Sequence, residues 1–77
     1  HFYKNDREKE TAFLHRVMGE LVFGGLICII ISKSKRIEKE LSDVFNESEF
    51  NWVSLFDEYV DYPDKRIKMR MIVSRKE

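Results

Sequence analysis

A single cysteine, Cys28, is too few for an intrachain disulfide and excludes a structural zinc site of the multi-cysteine kind. With no such staple in 77 residues, a domain of this size is marginally stable unless it oligomerises. Long hydrophobic runs are also missing. The longest apolar stretch, Leu21 to Ile31, spans eleven residues between Glu20 and Ser32-Lys33, whereas a membrane helix needs roughly 20. It lies behind a charged segment and has no small-residue cleavage pattern, which argues against a secretory signal. Cys28 falls inside this run, where a thiol is expected to behave as a small buried hydrophobe, and one unpaired cysteine fits a reducing, cytoplasmic setting.

Catalytic constellations are scarce. His15 is the only internal histidine, and beside the apolar stripe of a helix it reads as structural rather than as a base or ligand. A Cys28–His15 nucleophile pair needs an exposed thiol, which the surrounding isoleucines argue against. Asp57, Glu58, Asp61 and Asp64 make an acidic group without the glycine and regular oxygen spacing of a cation loop. Gly24-Gly25 precedes a strand-like segment, so no helix N-terminus stands ready to hold phosphate. The chain is therefore read as non-enzymatic, with no cofactor, metal or small-molecule substrate expected.

Net charge is absent overall but not locally. Residues 37–61 carry eight acids against Lys39, residues 21–36 carry Lys33, Lys35 and Arg36 alone, and residues 62–77 carry six bases against two acids. An acidic middle thus sits between basic flanks. With 43% hydrophobic and 13% aromatic residues the chain has the composition of a folded protein.

The hydrophobic pattern gives an order of elements. From Asn5 to Val22, Phe13, Leu14, Val17, Met18 and Leu21 form one stripe of a 3.6-residue period, with Asn5 or Asp6 as cap. Gly24-Gly25 ends this helix. Leu26 to Ile31 is a continuous apolar run of the kind covered on both faces of a sheet. Ile37, Leu41, Val44 and Phe45 place a crossover helix over residues 35–46, capped by Ser32 or Ser34. Ile67, Met69, Met71 and Val73 alternate with Lys68, Arg70, Ile72 and Ser74, the period of a half-buried strand. Residues 49–60 fit either a helix or a strand. A hairpin through Asp61–Lys65 supports the strand, pairing Asp57 with Met69, Leu55 with Met71, Val53 with Val73 and Glu58 with Lys68. The resulting order is helix, strand, helix, strand, strand. This is an α+β single small domain over residues 1–77, with residues 1–4 and 74–77 frayed; the alternative is a mostly helical chain. The 77 residues are also compatible with a fragment of something longer.

Two surfaces carry functional expectations. Trp52, Phe56, Tyr59 and Tyr62 exceed what a small core readily buries, and with Asp57, Glu58 and Asp61 they form aromatic anchors ringed by acids, the composition of a protein-binding patch. A regulatory module occupying a partner's surface, or a homodimer completing its own core, follows from this reading. The competing expectation is nucleic-acid binding through Lys65, Arg66, Lys68, Arg70, Arg75 and Lys76, a basic terminal strand that also serves to block edge-to-edge aggregation. Membrane-surface association through the apolar run is a third reading, disfavoured by its β-branched isoleucines.

Overall fold

The computed structural model describes residues 2–61 and 64–77, with residues 2–8 as backbone only. Its order is α1 (Phe2–Glu20), β1 (Leu26–Ser32), α2 (Lys35–Glu47), β2 (Trp52–Asp61) and β3 (Lys68–Lys76). The fold is α+β: two helices lie on one three-stranded antiparallel sheet of order β1-β3-β2. β1 and β2 each pair antiparallel with β3. They therefore run parallel to one another, and α2 is the crossover between them with β3 slotted into the gap.

Helix α1 starts before the expected Asn5 and buries a narrower stripe than the sequence implies. Met18 is fully buried, Leu14, Val17 and Leu21 pack around it, and Phe13 points to solvent. The helix gives way to β1 at two glycines with distinct reasons. Gly24 has φ of 86°, the left-handed region that costs a side-chain-bearing residue. A Cβ on Gly25 would stand 2.8 Å from Leu21 Cδ1 and 2.9 Å from the Val22 carbonyl oxygen, closer than real contacts permit. Helix α2 begins at Ser34, whose carbonyl accepts the first helical bond from Glu38 N–H at 2.9 Å while its hydroxyl makes no capping bond.

The core lies between the helices and one face of the sheet, around Met18, Ile27 and Val44, with Leu14, Val17, Leu21, Ile29, Phe45 and Trp52 packed on them. Trp52 meets Phe45 edge-on at 5.5 Å between ring centroids, and its indole N–H donates to Ser48 Oγ at 3.1 Å. The buried aromatic thereby keeps its polar atom partnered.

Three expectations require correction. The apolar run of β1 is covered on one face only. Ile27, Ile29 and Ile31 point toward the helices, and Leu26, Cys28 and Ile30 toward the open side, so Cys28 is exposed. Strand preference alone produces the strand; it does not supply a second layer. The hairpin register is also displaced. Asp57 pairs with Ile72 and Glu58 with Met71, because β3 begins at Lys68 and the loop extends to Ile67. Asp61, not Glu58, forms the ion pair with Lys68. A β-bulge between Ser54 and Phe56 then puts Trp52 and Ser54 on the same face as Asp57 and Tyr59. Finally, the C-terminus is not frayed: Ser74 and Lys76 are buried, and Glu77 N–H donates to the Asn51 carbonyl at 2.9 Å.

Candidate functional site

Both helices pack on the same side, so among the described residues no layer covers the other face of the sheet. The pairing registers lay its side chains out in four cross-strand rows: Leu26, Arg75, Val53; then Cys28, Val73, Phe56; then Ile30, Met71, Glu58; then Ser32, Met69, Val60. Leu55, unpaired in the bulge, adds to the second row's β2 end. Strand alternation produces this field directly, since every second residue of each strand must point away from the core. Leu26 is 56% exposed, Leu55 48%, Ile30 47%, Val53 37% and Phe56 36%. Arg75, Glu58 and Ser32 are the only polar side chains in the four rows.

The opposite side of the hairpin is polar and internally paired. Arg70 makes a two-pronged ion pair with Asp57, at 2.8 and 2.7 Å, and reaches Glu38 Oε1 on α2 at 3.4 Å. Tyr59 O–H donates to the same Glu38 oxygen at 2.5 Å, and Lys33 Nζ lies 5.2 Å from the Tyr59 ring centroid. The Arg70 hydrogen bonds hold the Asp57 carboxyl below its ordinary value, against a smaller opposing effect of burial. The hydrogen bond to Glu38 raises the Tyr59 phenol, and Asp57 raises the Arg70 guanidinium. Beside this network a groove of about 470 Å³ opens between α2 and β2, lined among others by Phe45, Asn46, Trp52, Ser54, Asp57 and Arg70. Its two charged walls, Asp57 and Arg70, are already engaged with one another.

The residues expected to form one binding patch are therefore divided. Phe56 and Glu58 lie on the open apolar face. Trp52 is in the core, Asp57 and Tyr59 belong to the Arg70–Glu38 network, and Asp61 pairs with Lys68. Tyr62 lies outside the described residues. The basic set is divided as well. Arg66 pairs with Asp64 at 3.3 Å, Lys68 with Asp61, Arg70 with Asp57, and Arg75 with Glu77 at 2.8 Å. Lys65 is exposed in the turn. Lys76 is 2% exposed, and its ammonium donates to the carbonyls of Met18, Gly19 and Leu21 at 2.8, 3.2 and 2.7 Å. It closes the C-terminal end of α1 and is not available to a phosphate.

Leu26, Cys28, Ile30, Val53, Leu55, Met69, Met71 and Val73 were missed as site residues, because β1 was expected to be buried on both faces. The signal was in the element count. Two helices cover one face of a three-stranded sheet and cannot cover two.

Among the described residues, no three His, Cys, Asp or Glu side chains converge as metal ligands, and no helix is long and apolar enough to cross a membrane. His15 Nε2 lies 3.8 Å from Glu47 Oε2 on the helix surface. The chain matches no protein-family model, no curated protein and no solved structure at a significant level.

Proposed function

We propose that the chain is a non-enzymatic protein-binding module that acts by laying the helix-free face of its sheet against a partner protein. One observation carries this reading: Leu26, Ile30, Val53, Leu55 and Phe56 are each more than a third exposed on one contiguous face. Compact monomers rarely expose apolar fields beyond a few hundred Å² without a use for them. Burial at roughly 25 cal/mol per Å² gives such a field a driving force on the order of 10 kcal/mol, similar in size to the cost of association. Phe56 and Leu55 at the bulge are the natural anchors, and Glu58 and Arg75 supply orientation by charge. Trp52, Asp57, Tyr59 and Asp61 make their contacts within the chain and are left out of this surface.

Nucleic-acid binding receives less support. Four of its six candidate cations are paired with carboxylates and Lys76 is buried, which reduces what this set can offer a phosphate backbone.

The test is site-specific photo-cross-linking in the expressing cell, with the photoreactive residue at Phe56 and, as control, at exposed Lys35 on α2. Discrete adducts from Phe56 that disappear when Ile30→Asp is added, and are absent from Lys35, support the reading. Equal adduct patterns from both sites, or none from Phe56, refute it. Salt-sensitive binding of labelled oligonucleotides, lost in Lys68→Glu/Arg70→Glu, points to nucleic acid instead.

A further inference from the structure

We propose that the groove between α2 and β2 is a binding site for an uncharged saccharide. It lies on the opposite side of the sheet from the open apolar face and stands independently of the reading of that face.

The groove lies over an edge of the sheet. β2 is an edge strand, and the groove is bounded by the C-terminal half of α2 on one side and floored by β2 and β3. Its volume of about 470 Å³ is that of a small-molecule site. The decisive residue is Ser74 in the central strand. Ser74 is 4% exposed, yet no group among the described residues bonds its hydroxyl. No enclosed side-chain polar atom among them is left unsatisfied, so the Ser74 hydroxyl opens into the groove that it lines. A polar group this deep ordinarily has a partner, and here the partner has to come through the groove. Ser48 presents a second free donor. Its oxygen accepts from Phe50 N–H at 3.2 Å and from the Trp52 indole N–H at 3.1 Å, which fills both lone pairs and leaves the O–H to donate. Ser54, opposite Ser74 in the register, and Asn46 on α2 line the same groove with side chains that bond nothing else among the described residues.

The charge of the ligand follows by elimination. Asp57 and Arg70 neutralise one another through bonds of 2.8 and 2.7 Å, and Arg70 also reaches Glu38. A charged ligand would have to compete with that pair. A wholly apolar ligand would strip water from Ser74, Ser54 and Asn46 and return no hydrogen bond. The remaining class is a neutral molecule whose polar groups both donate and accept, as serine hydroxyls and asparagine amides do. It also needs apolar surface to set against Trp52, Phe45 and Ile72. A sugar ring has both, with hydroxyls around its rim and C–H groups on its faces that suit the negative face of an aromatic ring. The paired Arg70–Asp57 wall keeps spare donors and lone pairs, which give charge-assisted bonds to hydroxyls without demanding a charged ligand.

The test is titration of the purified chain with neutral monosaccharides and disaccharides (glucose, galactose, mannose, N-acetylglucosamine, maltose and cellobiose), followed by amide chemical shifts and by the emission of Trp52, the only tryptophan. The expected result is saturable binding by at least one of them, with a dissociation constant on the order of 1 mM for so small a ligand. Shifts should cluster at residues 41–48 of α2 and around Ser54 and Ser74. Ser74→Ala and Asn46→Ala are each expected to weaken binding about fivefold or more. The urea midpoint of Ser74→Ala should stay unchanged, because its hydroxyl has no partner in the chain to lose. Asn46 is exposed on α2, so its variant tests the site even if Ser74→Ala disturbs the fold. No saccharide binding at tens of millimolar overturns the proposal, as do shifts confined to other surfaces or binding that survives both substitutions. Binding of nucleosides or sugar phosphates in place of the neutral sugars overturns the assigned ligand class.

Discussion

Replacing Lys76 by methionine isolates the least expected feature of the fold. The ammonium of Lys76 is buried with no carboxylate in ion-pair range among the described residues, held by the carbonyls at the end of α1 and by the rings of Phe50 and Phe23, 3.8 and 4.9 Å from their centroids. Methionine keeps most of the apolar stem and removes the three donors. Hydrogen bonds to a charged group contribute roughly 1.5–3 kcal/mol each, the negative end of a helix adds about 1, and ring contacts with a desolvated cation add up to about 2. The opposing cost of burying an ammonium is several kcal/mol. Of the carbonyls left behind, that of Met18 is buried and the other two can recruit water. Lys76→Met is therefore expected to lose roughly 2–4 kcal/mol, out of a total on the order of 4–12 kcal/mol for a chain of this length. Urea denaturation followed by circular dichroism and Trp52 fluorescence reads this as a lower midpoint with an unchanged slope. A variant within about 0.5 kcal/mol of the native chain would falsify the helix-closing role and return Lys76 to the pool of surface cations.

Other perturbations address separate parts of the structure. Asp57 has a depressed carboxyl, so its pairing with Arg70 stabilises the fold above the unfolded value near pH 4 and is lost as pH falls through the lower folded value. Asp57→Asn should flatten the acid limb of a urea-midpoint against pH curve, with a change below about 1 kcal/mol at pH 7 because the pair is partly solvated; an unaltered acid limb contradicts this. Gly24→Ala should cost about 1–2 kcal/mol by thermal denaturation through its positive φ. Gly25→Ala should also lower the melting temperature, since Leu21 and the Val22 carbonyl stand in the way; a neutral result at either position contradicts the turn geometry. Ser48→Ala leaves the Trp52 indole N–H unpartnered and should cost about 1 kcal/mol with a shifted Trp52 emission; native emission and stability contradict it.

Helix and strand order was legible in the sequence because each element has a clean period or a clear break: the Ile37–Phe45 spacing for α2, the Met69–Val73 alternation for β3, and the two glycines between α1 and β1. Face assignment in the hairpin was not. A loop extended to Ile67 displaces the register, which pairs Asp57 with Ile72 instead of Met69 and turns Met69, Met71 and Val73 to the open face, and the bulge at Leu55 changes parity again toward Trp52. Asp57, a misfit among apolar neighbours in the expected register, is explained once Arg70 and Glu38 stand beside it. The burial of Lys76 had no local signal, since its partners are the carbonyls of a helix more than fifty residues away in the chain. The open face was half legible. Phe56 and Glu58 were singled out for their surplus aromatic and acidic character, whereas Ile30 and Cys28 were hidden by the assumption that an uninterrupted apolar strand is covered twice.

Whether the helix-free face is covered where the protein works can be measured at Cys28, which lies in its middle row. The protein is labelled with a membrane-permeant maleimide in the cells that express it, and the rate is compared with that of the dilute purified chain. The expected result is strong protection in the cell and rapid labelling in the dilute chain, with protection abolished by Ile30→Asp. Equal reactivity in both settings would contradict the assignment of this face as the binding surface.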